Sequence, residues 1–222
     1  MTVILVLLTF LAFIVIDTVL SRRKATVGAA EEAAPARAAV SGAYVEGFLV
    51  PDNIRYHPGH SWLARERKNV VRVGVDEFAA ALLGRIDQLE LPKPGRWIRQ
   101  GQRAMGFLKG DQKAEMVSPI EGEVVEVNPD VLQNPALLRE DPYGKGWLLS
   151  VFVPDEDSTL RNLLPTAMVR AWMQKSVETL YGMQPGLAGA VAADGGRPAE
   201  DLSVAFPDIP WKDLTGEFFL TR

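Results

Sequence analysis

The sequence contains no cysteine among its 222 residues. This absence excludes a disulfide framework, a thiolate metal site and a cysteine nucleophile. Histidine is nearly absent too, since His57 and His60 are the only two. A metal centre built on this pair would need a third ligand that the sequence does not indicate. We therefore expect no metal and no other cofactor, and we expect both histidines to serve packing or hydrogen bonding.

Clusters of basic residues and sequence motifs of catalytic sites are also scarce. The chain has 24 Lys and Arg against 28 Asp and Glu, and no basic stripe or arginine run appears outside "SRRK" at 21–24. A nucleic-acid partner is therefore not expected. Ser118 and Ser203 lack the context of a nucleophile elbow, and no glycine-rich stretch is followed by the Lys-Ser/Thr of a phosphate loop. The sequence indicates a protein that is not an enzyme.

The longest apolar run is "VILVLLTFLAFIVIDTVL", residues 3–20. At about 1.5 Å per residue, a helix of this length crosses most of a ~30 Å hydrocarbon core. Arg22, Arg23 and Lys24 follow it, so the positive-inside rule predicts a single-pass anchor in the inner (cytoplasmic) membrane, with its N-terminus outside. Asp17 lies about one turn from the basic end, where it reaches interfacial water or pairs with a neighbouring membrane helix.

The chain divides into four predicted segments: a transmembrane anchor at 1–23, an Ala-rich tether at 24–43, a mostly β domain at 44–154 and a C-terminal extension at 155–222. Within the β domain, "VVRVGV" predicts a strand and "DEFAAALLG" a two-turn helix between an aspartate N-cap and a glycine. The stretch 85–92 also predicts a strand, because turn residues flank it.

The extension begins with a predicted helix of about four turns after Pro165, with Met168, Ala171, Trp172, Val177, Leu180 and Tyr181 near helical spacing. The segment "FPDIPWKDL" is expected to be extended. Trp211, Phe218 and Phe219 belong to a tail too aromatic to stay in water. These side chains either pack back on the domain or contact a partner or the membrane surface.

The stretch "FLKGDQKAEMVSPIEGEVVEVN", residues 107–128, predicts a β-hairpin followed by a further strand. Gly110 and Asp111 suit a two-residue loop, because both tolerate a positive φ. Lys109 and Lys113 then lie in the two arms. In the strand that follows, Glu121, Glu123 and Glu126 alternate with valines, which is typical of a half-exposed strand and not of a catalytic carboxylate pair.

Three stretches resemble the glycine cleavage system H protein family in order and spacing: "YHPGHSWL", "VGVDEFAAALLGRIDQLELPKPG" and "SPIEGEVVEVNPDVLQNPALLREDPYGKGWLL". The resemblance covers roughly residues 50 to 153. It implies a mostly β, lipoyl-domain-like barrel-sandwich hybrid with helical additions, placed here between a transmembrane helix and a C-terminal helical and irregular extension. In that family a lysine at a hairpin tip is amidated with lipoic acid and swings between active sites.

The resemblance also locates the position of the acceptor lysine, eight residues before the proline of a Ser-Pro pair. Counting back from Pro119 gives Asp111. Lys109 lies two positions too early and Lys113 two positions too late, which moves either side chain off the tip and into the paired arms. The family's His-Glu-Trp run also has a serine, Ser61, in place of its glutamate. The resemblance therefore implies a carrier hairpin that lacks its acceptor.

These observations predict a non-catalytic, membrane-anchored accessory subunit of an integral membrane protein complex. It would touch lipid through its N-terminal helix and use an unlipoylated H-protein-like domain as its cytoplasmic interaction module. By analogy of architecture alone, that layout is typical of capping subunits in energy-transducing complexes, respiratory or photosynthetic. The alternative is a membrane-tethered lipoyl carrier modified on Lys113. A third hypothesis is an assembly factor that binds lipoyl-processing enzymes transiently without being modified.

Overall fold

The computed structural model describes residues 41–183 and 201–222. The predicted anchor and nearly all of the predicted tether lie outside these residues, as does most of the Gly/Ala/Pro-rich stretch after the long helix. Among the residues that are described, none of the helices has the length and apolar character needed to cross a bilayer. The tether boundary at 43 is corrected, because Gly42 and Ala43 already belong to the first strand.

Eleven strands and seven helices are described. The strands are β1 Gly42–Val45, β2 Phe48–Pro51, β3 Arg55–Tyr56, β4 Ser61–Arg67, β5 Val70–Val75, β6 Gln88–Glu90, β7 Trp97–Ile98, β8 Arg103–Lys109, β9 Gln112–Val117, β10 Gly122–Val127 and β11 Leu149–Phe152. The helices are α1 Glu77–Leu83, α2 Pro129–Gln133, α3 Leu137–Glu140, α4 Glu156–Leu160, α5 Thr166–Gly182, α6 Leu202–Ala205 and α7 Trp211–Phe218.

The strands form three antiparallel sheets. β1 and β2 make a two-stranded sheet, β3-β4-β5-β11-β10-β7 a six-stranded sheet, and β6-β8-β9 a three-stranded sheet. One continuous hydrophobic core joins the inner faces of these sheets to α1, α5 and α7. The predicted mostly β architecture with helical additions is confirmed.

Helix α1 forms where the sequence predicts it. Asp76 is its N-cap, and the Asp76 side chain accepts a hydrogen bond from the backbone N–H of Ala79 at 2.8 Å. Gly84 ends the helix with φ 62°, a conformation that favours glycine. The strand predicted over 85–92 is shorter than expected, because only the three residues of β6 pair with β8.

Helix α5 is confirmed, and the predicted apolar set is buried only in part. Met168 is 56% exposed and Ala171 is also exposed. The buried residues of the helix are Val169, Met173, Ser176, Val177 and Leu180, of which Val177 and Leu180 belong to the predicted set. Spacing near about 3.6 residues alone does not decide which residues turn inward. A polar residue, Ser176, belongs to the buried face because it has a buried hydrogen-bond partner.

The expected extended conformation of "FPDIPWKDL" is wrong. Its first half forms a turn in which the Ile209 N–H donates to the carbonyl of Phe206 at 3.2 Å, and α7 begins at Trp211 directly after Pro210. Asp213 lies in the first turn, where the helix dipole favours a negative charge. Trp211, Leu214 and Phe218 follow one face of the helix and are buried. The tail therefore packs on the domain as an amphipathic helix.

Candidate functional site

The hairpin of β8 and β9 has the predicted two-residue loop. Lys109 pairs with Gln112 and Leu108 pairs with Lys113, which leaves Gly110 and Asp111 as the loop residues. Gly110 has φ 58°. A glycine with positive φ at the first loop position is typical of a type II′ hairpin turn. Asp111 is therefore at the tip of the hairpin, with an exposed side chain.

The two lysines beside the tip lie on opposite faces of the hairpin. Lys109 shares a face with Phe107, which is fully buried, whereas Lys113 lies beside Leu108 on the other face. Neither lysine is a loop residue. The structure thus places Asp111 at the tip and both lysines in the paired arms.

Lys109 is held by the C-terminal segment, a name we use for residues 201–222. Its Nζ lies 2.6 Å from the Ser203 hydroxyl, 3.8 Å from Asp201 Oδ2 and 5.7 Å from the centroid of the Trp211 ring. Partial desolvation of Asp201 raises the pKa of its carboxyl, but the Ser203 hydroxyl and the Lys109 charge outweigh it and lower that pKa. Lys109 therefore joins the hairpin to residues far along the chain.

Lys113 is held by acidic neighbours in its own sheet. Its Nζ lies 2.7 Å from Glu90 Oε2 and 3.5 Å from Glu115 Oε1. The hydrogen bond to Glu90 is the main cause of a raised pKa of the Lys113 amine. The raised pKa favours the ammonium form, which stays paired with Glu90.

The tip is also braced from the loop before β6. Asp87 Oδ2 accepts a hydrogen bond from the backbone N–H of Gly110 at 2.7 Å, and the Asp87 N–H donates to the carbonyl of Leu108 at 2.8 Å. Asp87 and Asp201 were missed by sequence reasoning. Their contacts with the hairpin join Asp87 to Gly110, 23 residues away, and Asp201 to Lys109, 92 residues away, and no local pattern marks such contacts.

Trp211, Phe218 and Phe219 were candidates for partner contact, and the structure gives them another role. All three are buried against the chain's own core. The Trp211 indole N–H donates to the carbonyl of Leu82 at 3.1 Å, and the Phe219 ring lies 6.3 Å from that of Phe107. Burying such rings inside the domain removes the apolar area that a partner would otherwise cover.

His60 belongs to a buried hydrogen-bond network. Its Nδ1 lies 2.8 Å from Asp76 Oδ2 and its Nε2 lies 3.0 Å from Ser176 Oγ. The imidazole is stacked between Phe78 and Trp172, with ring centroids 4.4 Å away on each side.

Carboxylate, imidazole and hydroxyl follow here in the order of a catalytic triad. However, Ser176 lies inside α5, is buried, and also lies 3.2 Å from the carbonyl of Trp172. The network therefore ties α5 to α1 and to the turn before β4. Sequence reasoning missed Ser176, because it is 116 residues from its partner His60.

His57 is buried in the same turn, and its Nδ1 accepts a hydrogen bond from the Gly59 N–H at 3.0 Å. Desolvation, followed by the nearby His60, lowers the pKa of His57 to about 4.

Within residues 41–183 and 201–222, no three His, Asp or Glu side chains come together as metal ligands. The predicted membrane-contact residues Asp17, Arg22, Arg23 and Lys24 lie outside the described residues.

The profile of the family "Glycine cleavage H-protein" matches residues 54–176. The glycine cleavage system H protein of Magnetococcus marinus is 35% identical over 126 residues, covering 56% of this chain and 88% of that protein. The H protein of Mycobacterium leprae is 33% identical over 130 residues, covering 57% of this chain and 98% of that protein.

Among solved structures, the crystal structure of a glycine cleavage system H protein from Mycobacterium marinum is 30% identical in sequence. It covers 47% of this chain and 87% of that chain, with a TM-score of 0.44. The hairpin and the His60 network fall within the family match, whereas the C-terminal segment lies beyond its end.

Proposed function

The chain belongs to the glycine cleavage H-protein family, and on that premise we propose that it is a non-catalytic, membrane-anchored accessory subunit. Its H-protein-like domain is an interaction module that carries no lipoyl group. The anchor is residues 3–20, and the domain faces the cytoplasm.

The observation that carries this proposal is the carboxylate at the hairpin tip. Asp111 occupies the position that the family resemblance assigns to the lipoyl-bearing lysine, and it is the exposed second residue of the loop. Amide formation with lipoic acid requires an amine nucleophile, which a carboxylate does not provide.

The surroundings of the two nearest amines support the same reading. Modification of Lys109 would break its contacts with Ser203, Asp201 and Trp211. Modification of Lys113 would remove a cation from between Glu90 and Glu115. Neither amine extends from the tip, where a swinging arm would need to be attached.

The membrane part of the proposal is supported by sequence. The apolar run at 3–20 is long enough to span, and Arg22, Arg23 and Lys24 follow it. Asp17 would pair with a helix of the integral membrane complex that this subunit serves. We propose an energy-transducing complex, respiratory or photosynthetic, as that partner.

Lipoylation is tested by intact mass of the full chain, expressed in lipoate-fed cells that also express the Magnetococcus marinus H protein as a positive control. We expect no lipoyl increment on the wild-type chain. We expect one on Asp111→Lys, because that substitution restores an amine at the tip. A lipoyl increment on the wild-type chain that disappears in Lys113→Arg would overturn the proposal and establish the carrier alternative.

The accessory role is tested by purification from native membranes in mild detergent. We expect this chain in constant stoichiometry with integral membrane proteins. Recovery as a free monomer would contradict the proposal, and recovery with substoichiometric lipoyl-processing enzymes would favour the assembly-factor hypothesis instead.

A further inference from the structure

Three residues form a row on the outer face of the six-stranded sheet. Trp97 of β7 pairs with Glu123 of β10, and Glu123 pairs with Phe152 of β11. Directly paired residues point to the same face of an antiparallel sheet. The adjacent pair Ile98 and Gly122 is buried, so the row itself points outward. We call Trp97, Glu123 and Phe152 the outer-sheet patch.

The patch leaves aromatic surface in water. Trp97 is 46% exposed and Phe152 is 37% exposed. Neighbouring strands are about 4.8 Å apart, so the two aromatic residues stand roughly 10 Å apart with a carboxylate between them. A cation placed over Glu123 would lie within the ~6 Å range of cation–π attraction from both rings.

The indole of Trp97 is already oriented. Its Nε1–H donates a hydrogen bond to Glu121 Oε1 at 3.1 Å. A fixed aromatic side chain loses little rotamer entropy on binding, which is a property of interface anchors.

The charge of this surface is mainly negative, because Arg72, which pairs with Ser150 on the same face, is itself ion-paired with Glu66. Glu121, Glu123 and Glu126 are all exposed on or next to β10. Glu123 and Glu126 form no ion pair with residues 41–183 or 201–222. Arg99 lies at one end, two residues after Trp97. The patch thus offers an unpaired carboxylate flanked by two aromatic faces.

We propose that a partner protein docks here by inserting an arginine side chain between Trp97 and Phe152. This inference rests on the proposed function and names the surface through which that function operates. A guanidinium stacks on aromatic rings, forms two parallel hydrogen bonds with a carboxylate, and is more weakly hydrated than an ammonium group. The acidic surroundings disfavour anionic lipid headgroups and nucleic acid, so the partner is a protein.

The patch is tested with the full chain in its native membrane. Cells express Trp97→Ala or Glu123→Gln in place of the wild-type chain. The amount of partner recovered per chain is then measured after mild-detergent purification. We expect each variant to recover roughly 10-fold less partner, because buried Trp and Arg anchors dominate interface energies. Met168→Ala and Glu178→Gln are matched controls on exposed positions of α5 and should behave as wild type.

A second measurement tests whether the group that binds between the two rings is a guanidinium. The indole N–H signal of Trp97 is followed by NMR while a short peptide with one arginine between two leucines is added. We expect a saturable shift for the wild-type chain that is absent for Glu123→Gln and for the same peptide with citrulline in place of arginine. Equal shifts with both peptides would overturn the assignment of a guanidinium.

The outcomes separate the two proposals. If wild-type chain recovers a complex and both patch variants recover it equally well, the patch proposal fails while the accessory role stands. If the variants lose membrane retention without any change in partner, the surface binds lipid and the proposal also fails. If wild-type chain recovers no partner, the accessory role fails and the patch proposal fails with it.

Discussion

The two faces of the β8–β9 hairpin are stabilised in different ways. The face that carries Phe107 and Lys109 is covered by the C-terminal segment, which comes from more than 90 residues further along the chain. The face that carries Lys113 is more open, and within residues 41–183 and 201–222 the ion pairs of that lysine are with Glu90 and Glu115 of its own sheet.

This difference shows what the extension adds to the family domain. A carrier hairpin, as the family resemblance describes it, must present its tip freely to several enzymes. Here Lys109 is held by residues that lie beyond the end of the family match. Asp87 also holds the loop through the Gly110 N–H. The extension therefore ties the hairpin to the rest of the domain, which supports the proposed interaction module.

We expect the largest loss of stability on the covered face of the hairpin from Phe219→Ala. Phe219 is fully buried beside Phe107, so its truncation should leave a cavity and lower the free energy of unfolding by about 3–5 kcal/mol. Urea unfolding of the variant and the wild-type chain measures the change. Val204→Ala is the matched control in the same segment, because Val204 is 71% exposed and should change stability by under ~0.5 kcal/mol. A loss below ~1 kcal/mol for Phe219→Ala would mean that the segment does not pack on the hairpin.

The turn that contains His57 and Gly59 lies against the C-terminal segment, because Gly59 is close to Leu220. The pH dependence of the unfolding free energy reports on this turn. The folded-state pKa of His57, about 4, is below the ordinary value near 6.5, so folding favours the neutral ring. This contribution is fully present above pH 6.5 and is lost as pH falls through 4. It amounts to about 3 kcal/mol at most.

Comparison with His57→Asn isolates this contribution from the carboxylates that titrate in the same range. The asparagine side-chain oxygen can accept the Gly59 N–H in place of Nδ1 but does not titrate. Unfolding free energies of both chains between pH 7 and pH 4 should therefore diverge, with the wild-type chain losing more. Parallel curves would show that His57 is not held neutral in the folded state.

The features of the hairpin and of helix α1 that depend on neighbouring residues could be predicted from the sequence. The Gly110-Asp111 loop and the capped helix α1 each depend on residues next to one another, and the structure has both. The covering of Lys109 depends on Ser203, 94 residues away, and no sequence pattern marks that contact.

Helices α5 and α7 show two further limits of sequence reasoning. For α5, the spacing of apolar residues does not decide which of them turn inward, and the buried hydrogen bond between Ser176 and His60 favours the observed choice. For α7, the segment "FPDIPWKDL" is expected to be extended, although Pro210 precedes a helix whose apolar face is buried. In both cases tertiary contacts selected between local alternatives.

Lys109→Met tests how much the polar contacts of Lys109 contribute to the covered face of the hairpin. The substitution keeps the apolar stem over Trp211 but removes the bond to Ser203 and the attraction of Asp201. Lys109 is only 31% exposed, so we expect a loss of roughly 1–2 kcal/mol, in the range of a hydrogen bond to a charged group. Thermal unfolding measures it, and Ser203→Ala should lose less because Asp201 remains. An unchanged midpoint would show that the C-terminal segment is held by its apolar residues alone.

Lys113→Met is the matched change on the open face, and we expect the smallest effect. Lys113 is 43% exposed and its partners Glu90 and Glu115 are exposed or nearly so. Exposed ion pairs contribute about 0–1 kcal/mol because water screens them, so a loss near 0.5 kcal/mol is expected at low salt. That loss should shrink further at 1 M salt, where the Debye length is about 3 Å. A loss as large as that of Lys109→Met, or one insensitive to salt, would mean that the two faces of the hairpin are not different in kind.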